Sequence, residues 1–276
     1  MDTEAILLNI LHEWEMKNDP EKILDFNREL FKYKCMPGMQ IHSIPYLPEN
    51  IKHICVPFNL RLPKDIPSTL KGLRLRTRDI VVNDLPISLE HLRISGLNLK
   101  TIHIPPNLHI LDCSLSELED LPSLPSTLEK LDCSRANLKT MSLLPQSLKV
   151  LDISNNNLKE LPDLPDSLVE LNVRKNEISH LPTLPSSLRK LDVSNNLITR
   201  LPELPPNLKV LICDKNHIEQ FPIIPSSVRY ISYSENKFTT KPVLPDTVVE
   251  YFGGSEFGYK LFPDPPNDQN PIIYNA

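Results

Sequence analysis

A repeat of about 20 residues constrains this chain more than any other feature of its sequence. Residues 161–180 read LPDLPDSLVELNVRKNEISH, and residues 181–200 read LPTLPSSLRKLDVSNNLITR. The same frame holds over residues 101–240 and decays over residues 241–260. Earlier units, one residue shorter, begin near Val82, Pro63 and Ile44. About eleven such units, each too small to bury a core alone, predict a solenoid of stacked coils.

Each unit carries the same internal pattern when it is counted from the first residue of its LP pair. Apolar residues recur at positions 8, 11, 13 and 18, and asparagine is frequent at position 16. The pattern LxxLxLxxNxL is that of a leucine-rich repeat. Positions 11 and 13 point inward from a short strand, so positions 10, 12 and 14 point outward on one face of a parallel sheet.

The asparagines at position 16 are predicted to point inward and to bond backbone groups of neighbouring coils. The alternative is that they only favour turns. They are Asn156, Asn176, Asn196, Asn216 and Asn236.

Proline and glycine indicate how the chain returns from one strand to the next. The chain has 28 prolines and 6 glycines, and nearly all prolines of the repeats fall at positions 2 and 5. Proline suits an extended polyproline II segment and is damaging inside a sheet, so the LPxLP segment is assigned to the return side of each coil. A unit this short has no room for a helix there, and we expect weak curvature. Pro57, at strand position 14, predicts an irregular first coil.

The ends of the solenoid need caps, because a bare terminal coil would expose its core. Apolar residues on one helical stripe predict a first helix over residues 3–16, with Trp14 as a core anchor. Asp19 and Pro20 have the residue types of an N-cap and a first helical position, which predicts a helical hairpin over residues 3–35. The predicted domains, within one continuous structural domain, are an N-terminal helical cap at 1–40, the leucine-rich-repeat solenoid at 41–260 and a C-terminal tail or cap at 261–276.

The unit LPxLPxxLxxLxVSxNxL resembles that of the bacterial LPX-type leucine-rich-repeat effectors, which are the YopM-, IpaH- and SspH-like proteins. The best matches lie in residues 121–240, and the Trp14-Glu15 dipeptide is similar to the cap of that group. The resemblance covers nearly the whole chain. It implies a virulence protein that a type III secretion apparatus delivers into the host cytoplasm or nucleus. There it would act as a non-enzymatic scaffold that binds host proteins such as kinases or other signalling proteins.

Several alternatives remain open from the sequence. IpaH- and SspH-like proteins carry a C-terminal ubiquitin-ligase domain with a catalytic cysteine, and this chain stops at the end of its repeats. The chain is therefore either a YopM-like scaffold or the substrate-recognition domain of a ligase whose catalytic domain is absent from this chain. A metal-binding or structural surface repeat is a further function class. The segment YFGGSEFGYKLF is also similar to the FNIP repeats of amoebae and giant viruses, which would be another source.

No catalytic, metal or cofactor site is expected from the reactive side chains. Cys113, Cys133 and Cys213 occupy inward position 13, where other units carry isoleucine or valine, and they are interpreted as small buried apolar residues. His53 and His91 share position 10 but lie two coils apart, roughly 9–10 Å, which is too far for one metal ion. The formal charge of −5 argues against a nucleic-acid partner, and no apolar run is long enough to span a membrane.

The outward positions 10, 12 and 14 form the predicted binding surface, which we call the sheet face. It is basic near its start, acidic in its middle, and apolar and aromatic near its end. The aspartates at position 12 would stand about 4.8 Å apart and raise one another's pKa. Aspartate and serine there are also explained as residues of the repeat that keep the face soluble. The predicted partner-binding residues are Arg74, Arg76, Arg93, Asp112, Asp132, Asp152, Arg174, Lys190, Asp192, Val210, Ile212 and Tyr230.

Overall fold

The fold consists of a small N-terminal cap followed by a solenoid. The computed structural model describes residues 3–17, 19, 22–32, 42–57, 60–76, 85–95, 102–238 and 242–250. The helices are α1 (Thr3–Lys17) and α2 (Phe26–Lys32). The strands are β1 (Leu24–Asp25), β2 (His42–Ser43), β3 (His53–Val56), β4 (Leu60–Arg61), β5 (Gly72–Arg76), β6 (His91–Ser95), β7 (Ile110–Asp112), β8 (Lys130–Asp132), β9 (Val150–Asp152), β10 (Glu170–Asn172), β11 (Lys190–Asp192), β12 (Val210–Ile212), β13 (Tyr230–Ser232) and β14 (Val249–Glu250).

One parallel sheet of 12 strands runs along the solenoid, in the order β1, β3, β5 and then β6 to β14. Each coil contributes one strand that pairs in register with the same position of the next coil: Leu171 is opposite Leu151 on one side and Leu191 on the other. Strands β2 and β4 form a separate two-stranded parallel sheet beside the first coils. The predicted leucine-rich-repeat solenoid of about eleven units is confirmed.

The core is a column of aliphatic side chains that repeats the sequence pattern. In the coil of residues 161–180, the apolar residues at positions 8, 11, 13 and 18 are all buried; they are Leu168, Leu171, Val173 and Ile178. The return side of the described coils contains no helix, as expected. It makes one turn per coil, in which the amide of Leu168 donates to the carbonyl of Pro165 at 3.0 Å.

The asparagines at position 16 join consecutive coils from inside. Asn176 Nδ2 donates to the carbonyls of Ile153 and Val173, both at 3.0 Å, and Asn176 Oδ1 accepts the amide of Leu158 at 3.0 Å. The predicted inward role is therefore confirmed. Equivalent bonds are made by Asn156, Asn196, Asn216 and Asn236.

This asparagine ladder is interrupted in two adjacent coils, where Ser116 and Ala136 occupy position 16. Ser116 Oγ donates to the carbonyl of Cys113 at 2.7 Å, whereas the methyl group of Ala136 can make no hydrogen bond. The asparagine bonds that join later coils are therefore missing between coils 101–120 and 121–140.

Two further features repeat with the coils and were not predicted from the sequence. Serine or threonine at position 7 donates to the preceding coil: Ser187 Oγ, for example, donates to the carbonyl of Leu168 at 2.6 Å. Position 15 has a left-handed backbone, with φ between 53° and 58°, and forms the sharp turn that separates outward position 14 from inward position 16. These residues are Leu115, Arg135, Asn155, Lys175, Asn195, Lys215 and Glu235.

The N-terminal cap contains two helices, as predicted, but the second begins later than predicted. Helix α1 is confirmed, but Asp19 does not begin a second helix, and Pro20 lies outside the described residues. The chain instead forms β1, which pairs in parallel with β3 and covers the first edge of the sheet. Helix α2 begins only at Phe26, and Asp25 Oδ1 accepts the amide of Arg28 at 3.3 Å. Strand pairing and the burial of Leu24 outweigh the capping pattern at residue 19.

Helix α1 packs its apolar stripe against the start of the core. The buried side chains of the stripe are Ile6, Leu7, Ile10, Leu11 and Trp14. Tyr46 of the first coil donates its hydroxyl to Glu15 Oε2 at 3.3 Å, which ties the helix to the solenoid. The predicted tail at 261–276 lies outside the described residues. Among the helices that are described, none has the length and apolar character needed to cross a bilayer.

Candidate functional site

The sheet face is built by in-register pairing, which places the same repeat position of successive coils side by side. Asp112, Asp132 and Asp152 stand directly opposite one another on neighbouring strands. Neighbouring strands of a sheet are about 4.8 Å apart, so each outward position forms a column along the solenoid. The columns at positions 10, 12 and 14 carry all the predicted binding residues.

At the basic start of the face, the charges are partly compensated. Arg93 Nε forms an ion pair with Asp112 Oδ2 at 2.6 Å, so the basic and acidic regions meet in a salt bridge. Arg74 is half-buried on the neighbouring strand and stands opposite Arg93. The backbone of Arg76 ends β5 opposite Ser95, and its side chain lies outside the described part of the structure.

A group of histidines lies beside these arginines. Gly72, on β5, provides the space for the His53 ring. A Cβ atom at Gly72 would lie 2.3 Å from His53 Nδ1, so the ring lies over β5, which separates the strand of His53 from that of His91. Burial lowers the pKa of His91 below its ordinary value and the nearby His53 lowers it further, while Glu90 opposes the shift. The described residues contain no group of three or more histidine, cysteine or acidic side chains placed to hold a metal ion.

The acidic column at position 12 has a structural role that the sequence analysis did not assign. Asp132 Oδ1 accepts the backbone amide of Ser134 at 2.9 Å, and this bond closes a small turn at the end of the strand. Asn172 makes the same bond, from the amide of Arg174 at 3.1 Å. The other members with this bond are Asp112, Asp152 and Asp192. Repeat architecture alone therefore accounts for an aspartate here.

One predicted binding residue is not on the surface. Asp192 is only 3% exposed, and its Oδ1 accepts both the amide and the hydroxyl of Ser194. Strand alternation makes position 12 outward, but this side chain is nevertheless buried. The expectation that Asp192 is exposed on this face is wrong, while its role in partner binding stays a prediction.

The predicted interaction between aspartates is confirmed at Asp132, although it is not the main effect. Burial raises the pKa of Asp132 above its ordinary value, and the charges of Asp112 and Asp152 raise it further. The bonds from Ser134 oppose the increase. Burial is likewise the largest cause of the raised pKa of Asp192.

These shifts predict that Asp132→Asn stabilises the protein at neutral pH. A carboxyl group whose pKa is raised in the folded state binds its proton more tightly there, so its ionisation at higher pH weakens the fold. Asparagine avoids this cost and keeps the turn, as Asn172 does. In urea denaturation, the midpoint of the variant should exceed that of the parent at neutral pH. The difference should shrink as the pH falls through the raised pKa toward about 4, the ordinary value for aspartate.

Asp163→Asn, at an exposed site on the return side, is the control for this prediction and should change the midpoint little at either pH. A stability difference for Asp132→Asn that does not vary with pH would contradict the interpretation.

The last coils carry the apolar end of the face. Tyr230, on β13, is 50% exposed, while Val210 and Ile212 on the neighbouring strand β12 are half-buried. Lys190 pairs with Glu170 at 2.9 Å, and Arg174 is half-buried. The structure therefore places the predicted positions along one continuous sheet, whose two ends are roughly 30–40 Å apart at the spacing of parallel strands.

A second apolar surface was missed by the sequence analysis. Ile223 and Val243, both at position 3 on the return side, are 92% and 93% exposed. They border an open cleft of about 540 Å³ that Phe221 and Phe238 also line. The signal was present in the sequence, because position 3 is polar in several other units; examples are Ser123, Asp163, Thr183 and Glu203.

Comparisons with known proteins agree with the architecture. The family model described as Leucine Rich Repeat matches residues 147–168 and 187–208. No curated protein matches the chain. Among solved structures, YopM from Yersinia enterocolitica WA-314 is 26% identical, with a TM-score of 0.60, over 91% of this chain and 72% of that one. The leucine-rich effector protein YopM from Yersinia pestis gives the same identity and TM-score, over 91% of this chain and 89% of that one. A Shigella effector LRR domain is 34% identical over 55% of this chain and 71% of that one, with a TM-score of 0.48.

Proposed function

This chain is a leucine-rich-repeat solenoid similar to the Yersinia effector YopM, and we propose that it is a secreted bacterial effector whose sheet face holds a host signalling protein. Leucine-rich-repeat solenoids generally act as protein-binding scaffolds rather than as enzymes. The similarity to YopM, at 26% identity over 91% of the chain, supports the effector role. All four cysteines in the described residues are buried, which disfavours a thiol nucleophile among them.

The observation that carries the proposal is the distribution of side chains along the sheet face. Arginine and tyrosine are enriched among residues that dominate binding energy, and they stand at opposite ends of this face, as Arg74 and Arg93 at one end and Tyr230 at the other. Most aspartates between them accept turn bonds and are less available to a partner. A partner that spans the face would therefore present acidic groups to the early coils and an apolar pocket to Tyr230.

The proposal is tested with the full chain immobilised as bait in a host-cell lysate, followed by kinetic measurements on each purified partner. The double variant Arg74→Glu, Arg93→Gln should slow association about tenfold and reduce its dependence on salt. Glutamine at position 93 avoids placing a second carboxylate against Asp112. Tyr230→Ala should act mainly on dissociation and accelerate it about tenfold to a hundredfold, as removal of a binding anchor does.

Ile223→Ser is the matched control, because it removes an exposed apolar side chain on the return side. It should leave both rates unchanged, and all variants should keep the melting temperature of the parent within a few degrees. If the sheet-face variants bind normally and Ile223→Ser does not, the partner occupies the return side and the proposed surface is wrong. If the chain is instead the substrate-recognition domain of a ubiquitin ligase, the same experiment would capture the substrate of that ligase.

A further inference from the structure

We propose that Cys113 and Cys133 form an oxidisable dithiol that closes a disulfide bond between two consecutive coils. The two cysteines occupy position 13 of neighbouring units, 20 residues apart, and their Sγ atoms are 2.8 Å from each other. Both side chains are completely buried. The disulfide would join one whole coil to the next inside the core.

The backbone already has the separation that a disulfide needs. Asp112 and Asp132, the residues before the two cysteines, pair in register, and the amide of Cys113 donates to the carbonyl of Asp132 at 2.8 Å. Neighbouring parallel strands lie about 4.8 Å apart, within the range of about 4.4–6.8 Å that disulfides span between Cα atoms. Only the Sγ atoms must move closer, to about 2.05 Å.

Cys213 shows that burial at position 13 does not by itself create this contact. It lies in the same column and is equally buried, but its neighbours at position 13 are Val193 and Tyr233. Its thiol contacts the carbonyl of Ser232 at 3.3 Å. The chain therefore contains an internal control for any oxidation experiment.

The folded pair is shielded from solvent, so exchange begins when the coil boundary opens. Burial raises the pKa of the Cys133 thiol well above its ordinary value, and the contact with Cys113 adds to the increase. The boundary lies where the asparagine ladder is interrupted, because Ser116 and Ala136 replace asparagine in these two coils. The bonds that each asparagine makes to two coils elsewhere are missing at this boundary, which favours local opening here.

The oxidant is a low-molecular-weight disulfide, and the reaction proceeds in two exchanges. One cysteine, Cys113 for example, loses its proton to water, and its thiolate attacks a sulfur of the small disulfide and expels a small thiolate. The thiolate of Cys133 then attacks the Cys113 sulfur of the mixed disulfide and expels the second small thiolate. The protein loses two electrons and two protons, and the small disulfide becomes two thiols.

The test uses the full chain in buffers that contain oxidised glutathione, followed by alkylation of free thiols and digestion with trypsin. Cys113, Cys133 and Cys213 then fall in the separate peptides 101–130, 131–135 and 210–215. We expect peptides 101–130 and 131–135 to be linked in most molecules, while 210–215 carries a free, alkylated thiol. The closed loop of 20 residues should raise the melting temperature by about 5–10 °C, and a reductant should reverse the increase.

Matched variants separate the pair from general oxidation. Cys113→Val should abolish both the linked peptide and the melting shift, and it should still fold, because valine occupies the same position at Val173 and Val193. Cys213→Val should leave both effects intact. The proposal is overturned if no linked peptide appears even after refolding from urea in the oxidising buffer. It is also overturned if Cys213 is linked as often as Cys113, or if oxidation lowers the melting temperature.

Discussion

Replacing Asn176 by alanine should lower the free energy of unfolding by about 3–5 kcal/mol. The side chain is buried and serves three backbone groups: it donates to the carbonyls of Ile153 and Val173 and accepts the amide of Leu158. Alanine would leave these groups without partners in a site that water does not reach, and each unsatisfied buried group costs about 1–3 kcal/mol. Chemical denaturation monitored by circular dichroism would measure the change.

Asn157→Ala is the control for this prediction, because Asn157 is an exposed asparagine in the preceding coil. It should change the free energy of unfolding by less than about 0.5 kcal/mol, as surface substitutions usually do. If Asn176→Ala is no more destabilising than Asn157→Ala, the asparagines are turn formers and the ladder contributes little.

Replacing Trp14 by alanine should have a comparable effect in the N-terminal cap, about 3–5 kcal/mol. The indole is buried among the apolar residues of α1, where truncation removes packing and leaves a cavity. Trp14→Phe should be far milder. The indole Nε1 is buried and has no hydrogen-bond partner among the described residues, so phenylalanine retains most of the apolar contact and removes an unsatisfied donor.

Met16→Ala, a change at a neighbouring side chain that is largely exposed, is the control and should be nearly neutral. Thermal unfolding and the binding of a dye specific for exposed apolar surface would report both stability and loss of the cap. Equal losses for Trp14→Phe and Trp14→Ala would show that the indole ring has a specific contact that the packing argument omits.

The solenoid was predictable because each coil contacts mainly the coils before and after it. The spacing of leucines therefore specifies both the local strand and its tertiary neighbours, and positions 8, 11, 13 and 18 could be assigned to the core directly. The asparagine ladder was predictable for the same reason, since a polar residue at an inward position of a stacked repeat must bond to the next coil.

The departures arise where the outcome depends on contacts outside the repeat. Strand β1 forms because it pairs with β3 at the first edge of the sheet. The residue types of Leu24 and Asp25 do not indicate that such an edge lies beside them. Alternation along one strand assigns a direction to Asp192 but does not describe how much of it its surroundings bury. The shared column of Cys113 and Cys133 was visible in the sequence, but the contact between their sulfur atoms depends on side-chain rotamers.

In-register stacking also limits how such a chain can change in length. Insertion or loss of one whole unit would preserve every pairing on either side of it, whereas insertion of a single residue within a strand would exchange inward and outward positions beyond that point. The length of the sheet face is therefore adjustable in discrete steps of about 4.8 Å, one coil at a time. The affinity of a partner that binds along this face would therefore depend on the number of coils as well as on their side chains.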